Sequence, residues 1–505
     1  MALHLTATTD TLLFLAKTFF LPPKDLEALP TPGIASMNYT VSEDHLWVAF
    51  NRSLSSLCTL KETSNDVLGI MLLPSRQLEV QGGEQRPDLN DVDKVQFLCA
   101  DNWDKEEGLR PYVNYCLTKI LEASEEAETA EREGRTTELE MMNDLITHVY
   151  QKSWLKFCAR ITKSRQRGYR LGRMLRALQA SSGPSNPSNL PDLVRAIFDV
   201  LNVINTNPPQ SLNYVAIHQA CTRVYKEVFE NPRMKDWLSD LHLHGKVVAG
   251  ACPPLRILQK IVKLRNGIEN LRSLIRQPTM RPTFRGAQAA RDEGNLITWV
   301  PTPNATDHKE LSVDVRSNAT GIKNTYETAI NTLPVKERKK YAQRDVMWQR
   351  IQTGMRNVEG LKRDMDGNID MRSGQWKIPA AKHKQHCEGK LLSYVIDNGL
   401  LGKVFPYIGC SKRCCEPCFT AISAVNDIIL TTSTLRPDQC FAVAGTHRKV
   451  YSGFGISSIK DPRFNNITQT FNTLLCRDIG LVVQAGSDKG FGESDSAPEP
   501  ETPVE

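Results

Sequence analysis

Along this 505-residue chain, apolar positions recur mostly in steps of three and four, the spacing of one face of an α-helix. Leu193, Val194, Ile197, Val200, Leu201 and Ile204 make one such stripe, Val224, Tyr225, Val228 and Phe229 a second, and Ile261, Leu264, Ile268, Leu271 and Ile275 a third. With the helical pattern from Tyr112 to about Ala180 they predict a mostly helical region over residues 111–277. A Ser/Pro-rich linker interrupts it near 181–190, from Ser181 to Ser188. The third stripe has the spacing to pair with another helix, in this chain or in a partner.

The pattern is weaker on either side of that region. Over residues 1–110, Thr11 to Phe20 reads as a short helix ended by Pro22 and Pro23, and His45 to Phe50 reads as a strand, which leaves the fold of this stretch open. Gln277 to Asn304 is rich in Pro, Arg and Gly without periodicity, so 278–320 reads as a linker. Thr325 to Arg363 returns to helix, and Asn368 to Pro379, with Trp376, reads as the first strands of a sheet.

Beyond that point the pattern alternates. Lys390, Leu391, Leu392, Val395 and Ile396 predict a helix, and Val404 to Gly409, an apolar run bounded by Gly402 and Gly409, predicts a buried strand. Phe419, Ile422, Val425 and Ile428 predict a second helix, Gln439 to Ala444 a further strand, and Ile467 to Leu475 a closing helix. Residues 321–484 therefore read as an α/β domain behind a mostly α-helical N-terminal region. The acidic, Pro-rich residues 485–505 are expected to be disordered.

Charge and cysteine content narrow the setting. The net charge of +6, from 63 basic and 57 acidic residues, is modest for the length, so any basic surface has to be local. It is concentrated in two blocks: eight glutamates from Glu122 to Glu140, then Lys156, Arg160, Lys163, Arg165, Arg167, Arg170, Arg173 and Arg176. The second block can be a phosphate-binding helix with Trp154 and Tyr169 for stacking. It can also be the basic arm of a hairpin facing the acidic one, or the two blocks can be two solvated faces, and the closeness of opposite charge in sequence favours these over phosphate binding. The 13 cysteines are odd in number and six of them cluster between Cys387 and Cys440, which argues against a secreted disulfide framework. With no signal-peptide pattern and no apolar run long enough to span a bilayer, the chain is expected to be intracellular, in cytoplasm or nucleus.

The candidate chemistry sits between His386 and Cys418. His386-Cys387-Glu388 opens the first helix of the α/β part, and Cys414-Cys415-Glu416-Pro417-Cys418 opens the second. The i, i+3 spacing lets Cys415 and Cys418 face one metal, and a helix N-terminus with Lys412 and Arg413 beside it favours thiolates. His386 and two cysteines offer three zinc ligands, and Glu388 is a carboxylate that need not bind the metal. The same residues can instead build a closed structural zinc knuckle with Cys410 or Cys414 as fourth ligand, or a redox Cys-x-x-Cys.

His-x-Glu followed by Cys-x-x-Cys resembles the cytidine and adenosine deaminase superfamily. Tyr407-Ile408-Gly409-Cys410-Ser411-Lys412 before the cysteine pair, with Gly445-Thr446-His447 later, is similar to the nucleic acid/nucleotide deaminases expanded in fungi and found among bacterial effectors. The resemblance covers about the last third of the chain. It implies a cytidine deaminase-like mixed sheet with flanking helices, with zinc (Zn2+) held by His386, Cys415 and Cys418. It also implies Glu388 as the catalytic proton carrier, and His447 as a substrate-side residue. The superfamily's proline before the first cysteine is replaced by Cys414, which makes Cys414 an alternative ligand, and Arg448 follows His447 where the narrower family has glycine. The expected substrate is an aminated base in a nucleotide or nucleic acid. The other readings are a non-catalytic zinc module with a protein partner on the helical region, and a nucleic-acid-binding protein that uses the basic helix 156–176.

Overall fold

The computed structural model describes residues 11–13, 15–16, 42–57, 67–75, 93–102, 106–135, 140–162, 169–180, 186–206, 213–243, 254–301, 311–314, 319–336, 338, 375–378, 386–410, 414–443 and 459–488. The first long element is a helix, α1 (Ser42–Leu57). The run from His45 to Phe50 that reads as a strand lies within this helix, whose buried face carries Phe50, Leu54 and Leu57 in steps of four and three.

Strands β1 (Leu68–Ser75) and β2 (Lys94–Asp101) follow and pair antiparallel from Leu68 opposite Asp101 to Ser75 opposite Lys94. The helical region then runs through α2 (Glu106–Arg132), α3 (Glu140–Thr162), α4 (Tyr169–Gln179), α5 (Leu190–Thr206), α6 (Tyr214–Phe229), α7 (Pro232–Leu243), α8 (Pro254–Ile261), α9 (Lys263–Ile275) and α10 (Arg281–Asp292). Next come β3 (Ile297–Trp299), β4 (Leu311–Asp314), α11 (Ala319–Asn331), β5 (Gln375–Ile378), α12 (Cys387–Asp397), β6 (Phe405–Cys410), α13 (Glu416–Thr431), β7 (Ala442–Val443) and α14 (Ile467–Asp488).

Among the described residues, five strands form one mixed sheet in the order β3-β2-β1-β6-β7. β1 lies antiparallel to β6, while β2 with β3 and β6 with β7 are parallel. The register of β1 on β6 shifts between Ile70 and Leu72, beside Pro406, which has no N–H to give the ladder. The strand β6 is therefore flanked by a strand more than 300 positions earlier in the chain. The sheet of the α/β part takes β1, β2 and β3 from outside 321–484, and the helices from α2 to α10 are inserted between β2 and β3.

Alternation along the strands sends side chains to two cores. Leu68, Ile70 and Leu72 of β1, Val95 and Phe97 of β2, and Phe405 and Tyr407 of β6 join the core of α1 and the helical insert. Met71, Leu98, Ala100 and Ile408 join the opposite core, with α12, α13 and α14. The sheet is thus a shared wall. Two glycines set how closely α1 fits: a Cβ on Gly409 would come within 2.8 Å of the Asn51 backbone, and one on Gly267 within 2.7 Å of Ser56 Oγ.

Several expectations need correction. The stretch read as a linker over 278–320 contains α10, β3 and β4. The buried side of α10 is Thr283, Phe284, Gly286, Ala287 and Ala290, mostly small residues that leave little apolar signal, and Gly286 lets the helix lie on Lys94 and Val95. Trp376 lies in β5, which pairs with β4 in a separate two-stranded sheet and is not part of the five-stranded one.

Of the basic block, Lys156 and Arg160 lie on α3 and Arg170, Arg173 and Arg176 on α4, while Lys163, Arg165 and Arg167 lie outside the described residues. Trp154 is buried against Phe157 and Tyr214, so it cannot stack on a base. Of the acidic block, Glu128 pairs with Arg285 and Glu131 with Arg281, both on α10. No described helix is long and apolar enough to cross a membrane. The tail beyond 488 lies outside the described residues.

Candidate metal centre

The site is built on the starts of α12 and α13. His386 is the N-cap of α12 in extended conformation, and its carbonyl accepts the Lys390 N–H at 3.0 Å, the first turn's hydrogen bond. Cys415 is the corresponding N-cap of α13, and its carbonyl accepts the Phe419 N–H at 2.9 Å. Pro417 occupies the first turn of α13, where no intrahelical N–H bond is lost. Neither side chain makes a cap hydrogen bond to its own helix, which leaves both able to turn toward one point.

They do converge. His386 Nδ1 lies 3.3 Å from Cys415 Sγ and 3.3 Å from Cys418 Sγ. A tetrahedral zinc ion at its usual ligand distances separates sulfur from nitrogen by about 3.5 Å, so both nitrogen–sulfur distances are close to what such an ion needs. The donor set, two sulfurs and one imidazole, suits a soft or borderline metal ion.

Glu388, in the first turn of α12, is 3% exposed. Its Oε2 accepts a hydrogen bond from Cys387 Sγ at 3.2 Å, and its carboxylate also gathers with Cys414 and Cys418. Cys414 joins Glu388 and Cys418 and not the His386 set, and Cys410, at the end of β6, joins Glu388 and Cys387. His447 lies outside the described residues.

The start of α12 is fixed from β2. Asn102, just beyond that strand, accepts the Cys387 N–H at 2.7 Å, filling one of the helix's unsatisfied donors. The buried Lys390 ammonium stands 4.0 Å from the Asp101 carboxylate. Sequence reading finds neither Asn102 nor Asp101, because nothing local to them points to a helix that begins at 387.

Electrostatics separates the thiols. Burial opposes ionisation of Cys415, but the hydrogen bond from Cys418 and the neighbouring His386 outweigh it and bring this thiol down to about 6. Burial pushes Cys418 and Cys414 well up. For His386, burial favours the neutral ring, yet the Cys415 charge and hydrogen bond win and raise its pKa. In the metal-free set Cys415 and His386 thus favour each other's charged forms.

The arrangement can hold a divalent cation on three protein ligands with a buried carboxylate alongside. No curated protein and no solved structure matches the chain. Residues 385–458, which contain both helix starts, match the family model described as OTT_1508-like deaminase, a likeness of the C-terminal part consistent with a deaminase of the cytidine deaminase-like superfamily.

Proposed function

We propose that the chain is a zinc-dependent hydrolytic deaminase acting on an aminated nucleobase carried by a nucleotide or a nucleic acid. The observation that carries this reading is His386 Nδ1 at 3.3 Å from both Cys415 Sγ and Cys418 Sγ, with the Glu388 carboxylate buried beside them. Zinc bound there supplies the polarisation that brings the pKa of a water toward neutrality.

Glu388 takes up a proton from the attacking water at one carboxylate oxygen and later gives it to the departing amine. A C–O bond forms, the C–N bond breaks, and ammonia leaves. The burial of Glu388 keeps bulk water from competing for that proton. Cys387, hydrogen-bonded to Oε2, orients the carboxylate.

A closed structural knuckle would need a fourth protein ligand. Cys414 gathers with Glu388 and Cys418 instead of with His386 and Cys415, which favours three ligands and an open position. The helical insert, packed on the other face of the sheet, is the surface on which a protein partner or a longer nucleic-acid substrate would act.

X-ray absorption at the zinc edge and an ammonia-release screen over aminated bases test the reading together. Two sulfurs, one imidazole and one light oxygen, with turnover lost in Glu388→Ala while zinc stays bound, is the expected result. Three or four sulfurs around the metal would overturn it.

A further inference from the structure

Two thiols outside the His386 set, Cys387 and Cys410, gather with the Glu388 carboxylate. Cys387 Sγ, Cys410 Sγ and a Glu388 carboxylate oxygen all lie within 4.8 Å of one another, and all three residues are buried. They come from two elements, the first turn of α12 and the last residue of β6. Room for them is kept by Gly69, which lies opposite Cys410 on β1. A Cβ at Gly69 would stand 3.3 Å from Cys387 Sγ and 2.8 Å from Leu391 Cδ1.

We propose that Cys387, Cys410 and Glu388 form a second site for a soft divalent cation, next to the His386 set and separate from it. Two thiolates and a carboxylate offset the charge of the ion, and sulfur donors select zinc or cadmium over magnesium or calcium. The S···O contact of 3.2 Å between Cys387 and Glu388 is close to the separation of about 3.5 Å that a tetrahedral zinc ion would impose on the pair. Without an ion, the thiol proton satisfies the carboxylate. With one, the ion takes that proton's place.

The ligand geometry does not depend on the deaminase reading, but its consequence rests on it. An ion at this site holds Glu388 and prevents it from carrying a proton, so filling it inhibits the enzyme. The first site activates and the second one blocks.

The test is cadmium titration of the full chain, stripped by chelator and kept reduced. Thiolate-to-cadmium charge transfer is followed in the ultraviolet, and bound ions are counted by mass spectrometry after gel filtration. Two ions per chain are expected, falling to one in Cys410→Ala and to one in Cys415→Ala. Should Cys410→Ala not fold, as judged by circular dichroism, Cys387→Ala carries the same expectation. A single ion in the wild type that Cys415→Ala abolishes and Cys410→Ala leaves in place would overturn the second site while the His386 set stands. Two ions retained in Cys410→Ala or Cys387→Ala would overturn it as well. A count that Cys415→Ala does not change would instead refute the His386 set.

Discussion

Asn102 at the end of β2 accepts the Cys387 N–H at 2.7 Å, across 285 positions of sequence. The helix that carries Glu388 is thus capped by a residue on the far side of the helical insert. Asn102→Ala leaves that N–H unsatisfied and is expected to cost about 1 kcal/mol, the usual effect of removing a cap. A lowered midpoint in thermal or urea unfolding, with zinc still bound by the purified protein, checks it.

Glu388→Gln keeps the shape of the side chain and removes its ability to take up a proton. Turnover on any substrate found by the ammonia screen should fall by at least the ~100-fold typical of losing a general acid–base. One zinc per chain, counted by plasma mass spectrometry, should stay bound at the His386 set, because its ligands are His386, Cys415 and Cys418. Loss of that last zinc together with activity would show that Glu388 is one of its ligands.

The candidate site was legible because it is local: His386 with Glu388, and Cys415 with Cys418, each fit within one helical turn, and spacing alone brings each pair to a helix start. The long helices around Ile197, Val224 and Ile268 were legible for the same reason. Legibility stopped where contacts are distant or side chains are small. No pattern in Leu68 to Ser75 says that its partner is Phe405 to Cys410, and the buried Gly286, Ala287 and Ala290 of α10 carry too little apolar contrast to read as a face. At Leu46 to Phe50 five successive apolar residues fit strand and helix equally, and packing on β6 and α9 decided for helix.

Metal affinity should rise with pH around neutrality. Cys415, at about 6, is already a thiolate at pH 7, whereas Cys418 is pushed well up by burial and must lose its proton to bind. His386, raised by its pairing with Cys415, also has a proton to lose. Binding therefore releases about one to two protons per zinc, and affinity falls as the pH falls. Calorimetric titration in two buffers of different ionisation enthalpy measures that number. Release of none at pH 7 would show that both sulfurs and the ring are already deprotonated.

Two glycine substitutions are expected to act in opposite directions. Gly409 lies on β6 where a Cβ would be 2.8 Å from the Asn51 backbone of α1, and backbone cannot turn aside as a side-chain tip can. Gly409→Ala should therefore push α1 off the sheet, at a cost of about 1–3 kcal/mol. Because β6 ends at Cys410 and leads to Cys415, the displacement also reaches the metal set, and zinc affinity should fall with stability. Gly172, inside α4, has nothing within 4 Å of an added Cβ. There Gly172→Ala gains the helix propensity of alanine, about 0.5–1 kcal/mol, with zinc affinity unchanged. Urea midpoints and zinc titrations of the two variants separate the cases. A Gly409→Ala chain as stable as the wild type would mean that α1 does not seat on β6 at this distance.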